Sequence, residues 1–237
     1  MNRLLQNDFE RLITYFNEYD LKEIASKEAF KRNSKIIHRK LYAFLVLTNE
    51  LEEQGILSDE NNIFKMYFKE IGSDLILSFF CWVNGAYKPA ELQLRSSIEN
   101  FTKAFVYSEL PQILQIKSVY EIFDSASSSN VFCNKICSKH FKGLRNEYTF
   151  LCAFVHGHID TLTQNDALIK LPEYNDFSAN EFCKHFQNIL NQMLSIGYFT
   201  FFYNVFRMHV TNRELFLQGL TKKDKSEIYD FKTNTDK

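Results

Sequence analysis

The run PAELQLRSSIENFTKAFVYSEL, residues 89–110, decides the fold. At about 100° per residue, Leu94, Ile98, Phe101 and Phe105 fall within about 60° of one another, the apolar stripe of an amphipathic helix. Pro89 suits the first turn, where a missing N–H costs nothing, and Pro111 closes the run. Working outward, the same period recurs. Residues 2–19 and about 28–54 read as amphipathic helices, and Gly55 followed by Ser58 makes a stop and a new cap. A third helix is expected from about Asp59 to Asn84, closed by Gly85. Beyond Pro111 come a short segment at 117–125 and the polar run Ser125–Asn130, linker-like or a cap. A helix over roughly 131–156 then stops at Gly157, with a bend allowed near Gly143. Residues 158–178 read as loop, and Ser178 caps a long final helix carrying Phe182, Phe186, Ile189, Met193 and Ile196. From Thr221 the chain turns polar and is expected to be a flexible tail.

Composition agrees with helices. Gly and Pro number 7 and 3 in 237 residues, against a globular average near ~12% for the two together. A sandwich, a barrel or a glycine-rich nucleotide fold needs many more turn residues. With 45% hydrophobic and 24% charged residues, and 24 Phe, the chain can build an aromatic core without disulfides or metal. The net charge of −1 gives no global pull toward nucleic acid or membrane, although local basic patches survive that balance. Five cysteines, Cys81, Cys133, Cys137, Cys152 and Cys183, form no CxxC pair and fit a reducing, cytoplasmic setting. The charged N-terminus does not read as a signal peptide. The charge-free stretch Asn188–Phe206 carries too many polar groups for the ~20 apolar residues of a span, so it reads as a buried helix.

Chemistry concentrates on two helices. Arg95 and Glu99 lie about 100° and 140° round from Leu94, at the edge of the apolar stripe, and Glu91, Arg95 and Glu99 form an i, i+4 ladder. That pattern suits a helix-flank ion pair, or a functional Arg–Glu pair in a groove. On the later helix, Leu144, Tyr148, Leu151, Cys152 and Val155 make the apolar face, with Arg145 and His156 on its shoulder. His156 at a helix end is either a cap or a site histidine meeting Arg95 or Glu99. Cys133, Cys137 and His140 share one face, but cysteine at helical spacing is more often a small core residue than a zinc ligand, and no metal is expected. There is no P-loop and no GxGxxG, and no cofactor is implied. The aromatic run Tyr198–Tyr203 lacks interleaved cations and reads as core, with any exposed part available for self-association.

The stretches Ala90–Glu99 and Tyr148–Gly157 resemble a pattern of uncharacterised bacterial helical proteins: an Arg-x-x-x-Glu helix and a Tyr-x-x-Leu-(small)-x-x-Val-His helix end. Those resemble the HEPN (higher eukaryotes and prokaryotes nucleotide-binding) class of helical domains, common in phage-defence and toxin systems. Catalytic members carry Arg-x4–6-His for RNA cleavage, and Arg32–His38 is the one match here. Six residues turn a regular helix by about 240°, which drives those two side chains apart.

The expectations are therefore an all-α, HEPN-like bundle of about six or seven helices. It would comprise an N-terminal helical arm (1–57), a core domain (58–220) and a tail (221–237). The expected role is a bacterial effector or accessory protein of a defence or stress system, acting through a groove lined by Arg95, Glu99, Tyr148 and His156. In that groove Arg95 would hold a phosphate or carboxylate, Glu99 would orient it, and His156 would donate a proton or hydrogen bond. The alternatives are a non-catalytic oligomerisation or partner-binding module and a metal-independent ribonuclease using Arg32 and His38. Expected partners are a protein or a second copy of the chain, with RNA a further option, and no membrane.

Overall fold

The computed structural model describes residues 18–59, 62–156 and 171–235, with residues 10, 11, 14 and 158 besides. Every regular element among them is helical. In order they are α1 (Lys22–Ser26), α2 (Glu28–Glu53), α3 (Asn62–Val83), α4 (Tyr87–Val106), a 3-10 turn (Pro111–Gln115), α5 (Val119–Ser127), α6 (Lys135–Val155), α7 (Asp176–Thr200), α8 (Phe202–Arg207), α9 (Val210–Gly219) and α10 (Lys222–Thr235). The all-α expectation holds, but the count of six or seven does not: ten α-helices are present among the described residues.

The extra helices come from the C-terminal third. The expected single final helix breaks after Thr200, and the extended backbone of Met208 (ψ 151°) and His209 (ψ 140°) turns the chain again. No glycine or proline marks these breaks. Their effect is to fold α9 back onto α2, so closely that a Cβ on Gly219 would stand 2.3 Å from Ala43 Cβ. The polar stretch after Thr221 is helical through Thr235, anchored by buried Ile228 and by Lys139, whose ammonium pairs with Glu227 at 2.8 Å. Thr221 and Asp224 cap that helix start, with the Asp224 amide donating to Thr221 Oγ1 at 3.0 Å. Composition alone does not predict this anchoring, because α10 borrows its order from α6.

Helix α7 is the hub, packing against α2, α4, α6 and α10. Met193 to Tyr198 are buried without interruption, so the middle of the charge-free stretch Asn188–Phe206 is buried helix, whereas its last part lies past the break at Thr200 and exposes Tyr203 and Phe206. Among the described residues no helix is long and apolar enough to cross a membrane. Caps fall a few residues from where the sequence put them. Asn175, rather than Ser178, starts α7 by accepting from the Ser178 amide at 2.9 Å, and Asn134 does the same for α6 with the Cys137 amide at 2.8 Å. The Ser125–Asn130 run ends α5 instead of capping α6.

Gly85 joins α3 to α4. Its φ of +74° lies in the left-handed region, and a Cβ there would sit 2.0 Å from the Glu173 carbonyl oxygen. The segment entering α7 therefore lies directly on the α3–α4 turn. The Tyr87 hydroxyl holds it by accepting from the Asn175 amide at 2.9 Å. Phe30, Phe79 and Phe182 stack on Trp82 just beneath. Residues of α2, expected in an N-terminal arm, share the main core through Ile37, Phe44, Leu47 and Leu51.

Candidate functional site

Three helices, α4, α6 and α7, meet along their polar edges. Leu94, Ile98, Phe101 and Phe105 fix the rotation of α4, all buried as their spacing predicts. That rotation carries Arg95 to the α6 interface. There a guanidinium nitrogen donates to the Tyr148 hydroxyl, and the guanidinium carbon stands 4.6 Å from the Tyr148 ring centroid. The pair is a hydrogen bond and a cation–π contact at once. Burial alone would lower the Arg95 pKa. The contacts with Cys152 and Tyr148 and the field of Glu99 outweigh it and hold the guanidinium above its ordinary value. Burial pushes the Tyr148 hydroxyl up against the pull of Arg95, so it stays neutral. Arg95 Nε is buried without a hydrogen-bond partner.

The other two residues expected in this groove are placed differently. Glu99 pairs with Lys103 at 2.7 Å, one turn further along α4, and reaches Arg95 only through its field. His156 lies exposed at the C-cap of α6, where its amide donates to the Cys152 carbonyl. It is eight residues past Tyr148, about 12 Å along the axis. The structure thus joins Arg95 to Tyr148, with Glu99 beside them and His156 outside. Gly157 lies outside the described residues.

One turn before Arg95 the structure shows a group that the surface-ladder reading missed. Glu91 is 3% exposed, and burial raises its carboxyl pKa to about 8. The field of His185 opposes that rise, while Glu147 and Glu181 add to it. His185 Nδ1 donates to Glu147 Oε2 at 2.7 Å, and Asn188 donates to the other Glu147 oxygen at 2.8 Å. Burial would lower the His185 pKa, but the hydrogen bond to Glu147 and the fields of Glu91, Glu147 and Glu181 raise it overall. Phe150 stacks on the imidazole, with centroids 4.2 Å apart. Glu91 Oε2 and His185 Nε2 are both buried and unpartnered. Arg95 Nε, one turn after Glu91 on α4, is a third buried polar atom without a hydrogen-bond partner, and such groups cost stability.

A signal for this cluster was present. On the α4 wheel Glu91 falls about 60° from Leu94 and about 20° from Ile98, inside the buried arc. His185 occupies the matching edge on α7, about 60° from Phe182.

The remaining candidates are elsewhere. Arg32 and His38 both lie exposed on the uninterrupted helix α2, about 9 Å apart along its axis. His140 is buried and bonds Gln192 at 2.6 Å, its other nitrogen 3.7 Å from Asp224, while Cys133 is exposed and Cys137 buried. Burial raises the Cys137 thiol to about 11, a poor thiolate. Among the described residues no three His, Cys, Asp or Glu side chains are placed to hold a metal ion. An apolar cavity of about 500 Å³ lies between Phe64, Phe105 and Phe201, away from this junction. Comparison with known proteins brings no relative: no family model, curated protein or solved structure matches the chain.

Proposed function

We propose that the chain is a cytosolic bacterial effector or accessory protein of a defence or stress system, HEPN-like in architecture, working by contact with RNA or protein at the Arg95 junction. One observation carries this reading. Arg95 is half-buried and gripped by Tyr148 through ring and hydroxyl, and its Nε is buried without a hydrogen-bond partner, as is Glu91 Oε2 one turn earlier on α4. Buried charge of this kind is costly against an apolar core of equal volume. A guanidinium with spare donors suits a carboxylate or phosphate brought by a partner. Contact is favoured over catalysis because Glu99 is occupied by Lys103 and His156 stands about 12 Å from Tyr148, so neither of the acid–base groups expected in this groove serves Arg95.

The non-catalytic partner-binding module is the second reading, favoured by the same closed pairing of Arg95 with Tyr148. Overproduction in bacterial cells tests the first. Wild-type chain should slow growth, and Arg95→Lys, which keeps the charge but loses the planar fork, should relieve the arrest while keeping its helical circular dichroism. His156→Ala should arrest as wild type does. Normal growth with wild type, or equal arrest by Arg95→Lys, overturns the reading. RNA cleavage by the purified protein that His38→Ala abolishes would move the function to the ribonuclease alternative.

A further inference from the structure

The chain as a whole carries a net charge of −1, yet its cations are unevenly spread. From Ala29 to Asn49 there is no Asp or Glu, while Lys31, Arg32, Lys35, Arg39 and Lys40 fall within ten residues. Helix α2 sorts them. Lys40 turns inward, buried, and donates to the Asn191 side chain and the Gly219 carbonyl. Lys31, Arg32, Lys35, His38, Arg39 and Tyr42 all turn outward and are exposed. At 100° per residue these six occupy an arc of about 120°, and they run about 16 Å along the helix.

Among the described residues the only acid paired with this stripe is Glu28, which meets Lys31 at 2.7 Å in an exposed i, i+3 contact. Such a pair is weak and exchanges readily for another anion. The Lys40 bond to Gly219 also ties the end of α9 to this part of α2, and exposed Lys222 and Lys223, the first residues of α10, follow three and four residues later. The stripe holds an aromatic pair as well: His38 and Tyr42 stack, with ring centroids 5.7 Å apart and planes 26° from parallel. Tyr42 is 45% exposed although it is one of the larger apolar side chains.

We infer that the outward face of α2 binds single-stranded nucleic acid, its four Lys and Arg side chains on the phosphates and the His38–Tyr42 pair beneath a base. The inference is separate from the Arg95 junction and stands on a different surface. Cations interleaved with an exposed ring are what a backbone-tracking, base-stacking surface requires. A lipid surface fits less well. The face carries no bulky aliphatic side chain to enter the acyl boundary, which a membrane-lying helix needs. A folded duplex would leave the ring pair without a base to stack on.

Fluorescence anisotropy of the full chain with a labelled oligouridylate tests the assignment. Four phosphate contacts, at a slope of about −0.7 each, predict about 50-fold weaker binding on going from about 50 to about 200 mM salt. Lys35→Glu with Arg39→Glu should weaken binding at least about tenfold and roughly halve the salt slope. Tyr42→Leu should weaken it at least about fivefold with the slope kept, since stacking is not ionic. All three positions are exposed, so the fold should persist, which circular dichroism checks. Lys117→Glu, a charge reversal off this helix, should bind as wild type does. The assignment is overturned by no binding, by binding unchanged in the double reversal, by duplex binding as tight as single-stranded binding, or by uptake on phosphatidylserine vesicles without oligonucleotide binding. Any of these leaves the Arg95 reading intact, because that one is read from growth arrest and its relief by Arg95→Lys.

Discussion

Replacing Glu91 by Gln should make the protein more stable at neutral pH and flatten its pH dependence. Glu91 is a carboxyl with a folded-state pKa of about 8 against an ordinary value of 4.5, and burial is the chief cause. A raised carboxyl pKa means the folded state favours the protonated form. Its stability is then complete below 4.5 and is lost as pH rises through 8. At about 1.36 kcal/mol per pKa unit, linkage over pH 5.0 to 7.5 removes ~3 kcal/mol of unfolding free energy on account of this one group. His185 adds in the same direction. Its folded pKa is raised, so its stabilisation is whole below 6.5 and falls away as pH rises through the folded value. Lys40 opposes both, but its pKa is lowered to about 8 from 10.5, chiefly by burial, so its gain comes only as pH rises above about 8. Burial also raises the Asp74 carboxyl, which acts alike in both proteins, so the difference between wild type and Glu91→Gln over pH 5.0 to 7.5 isolates Glu91. Urea unfolding at both values should show wild type losing ~3 kcal/mol more than Glu91→Gln, about 1 M in midpoint for an m-value near 3 kcal/mol/M. Equal losses in the two proteins would mean that Glu91 titrates as an exposed carboxyl, and the buried junction would be refuted with it.

Two further substitutions probe the packing that positions the junction. Tyr148→Phe removes the acceptor of the Arg95 guanidinium in a half-buried setting, and should cost ~1–2 kcal/mol in chemical unfolding; no change would mean that water replaces the hydroxyl. Gly219→Ala sets a new methyl 2.3 Å from Ala43 Cβ, a clash between two short side chains with no rotamer to relieve it. It should cost ~1–3 kcal/mol, and Ala43→Gly in the same chain should recover much of that loss. Failure of the second change to compensate would show that α9 does not press on α2 at this point.

How much of this was legible depends on which forces are local. The burial of Leu94, Ile98, Phe101 and Phe105 follows from spacing alone, because a continuous helix carries its own angular rule. The all-helical class follows from so few turn residues. The breaks after Thr200 and at Met208–His209 carry no local signal: they arise because α9 gains more by lying on α2 than α7 would by running on into solvent. The tail could not be read as helix for the same reason, since α10 is held by Lys139 and faces His140, both on α6. At the junction, Arg95 meeting Tyr148 was within reach of the sequence, since Arg95 sits at the edge of one apolar stripe and Tyr148 carries its hydroxyl on another. Glu91 was readable and misread: an i, i+4 ladder of charges suggests a solvated flank, but the angle to Ile98 places this carboxyl in the core. Where ladder and wheel disagree, the wheel should win. The ladder reports only that charges are neighbours along one helix, whereas the wheel reports how far each lies from that helix's buried stripe. Applied to α7 and α6, the same rule puts His185 and Glu147 at the edges of their own apolar stripes, and only the packing of the three helices brings them to Glu91.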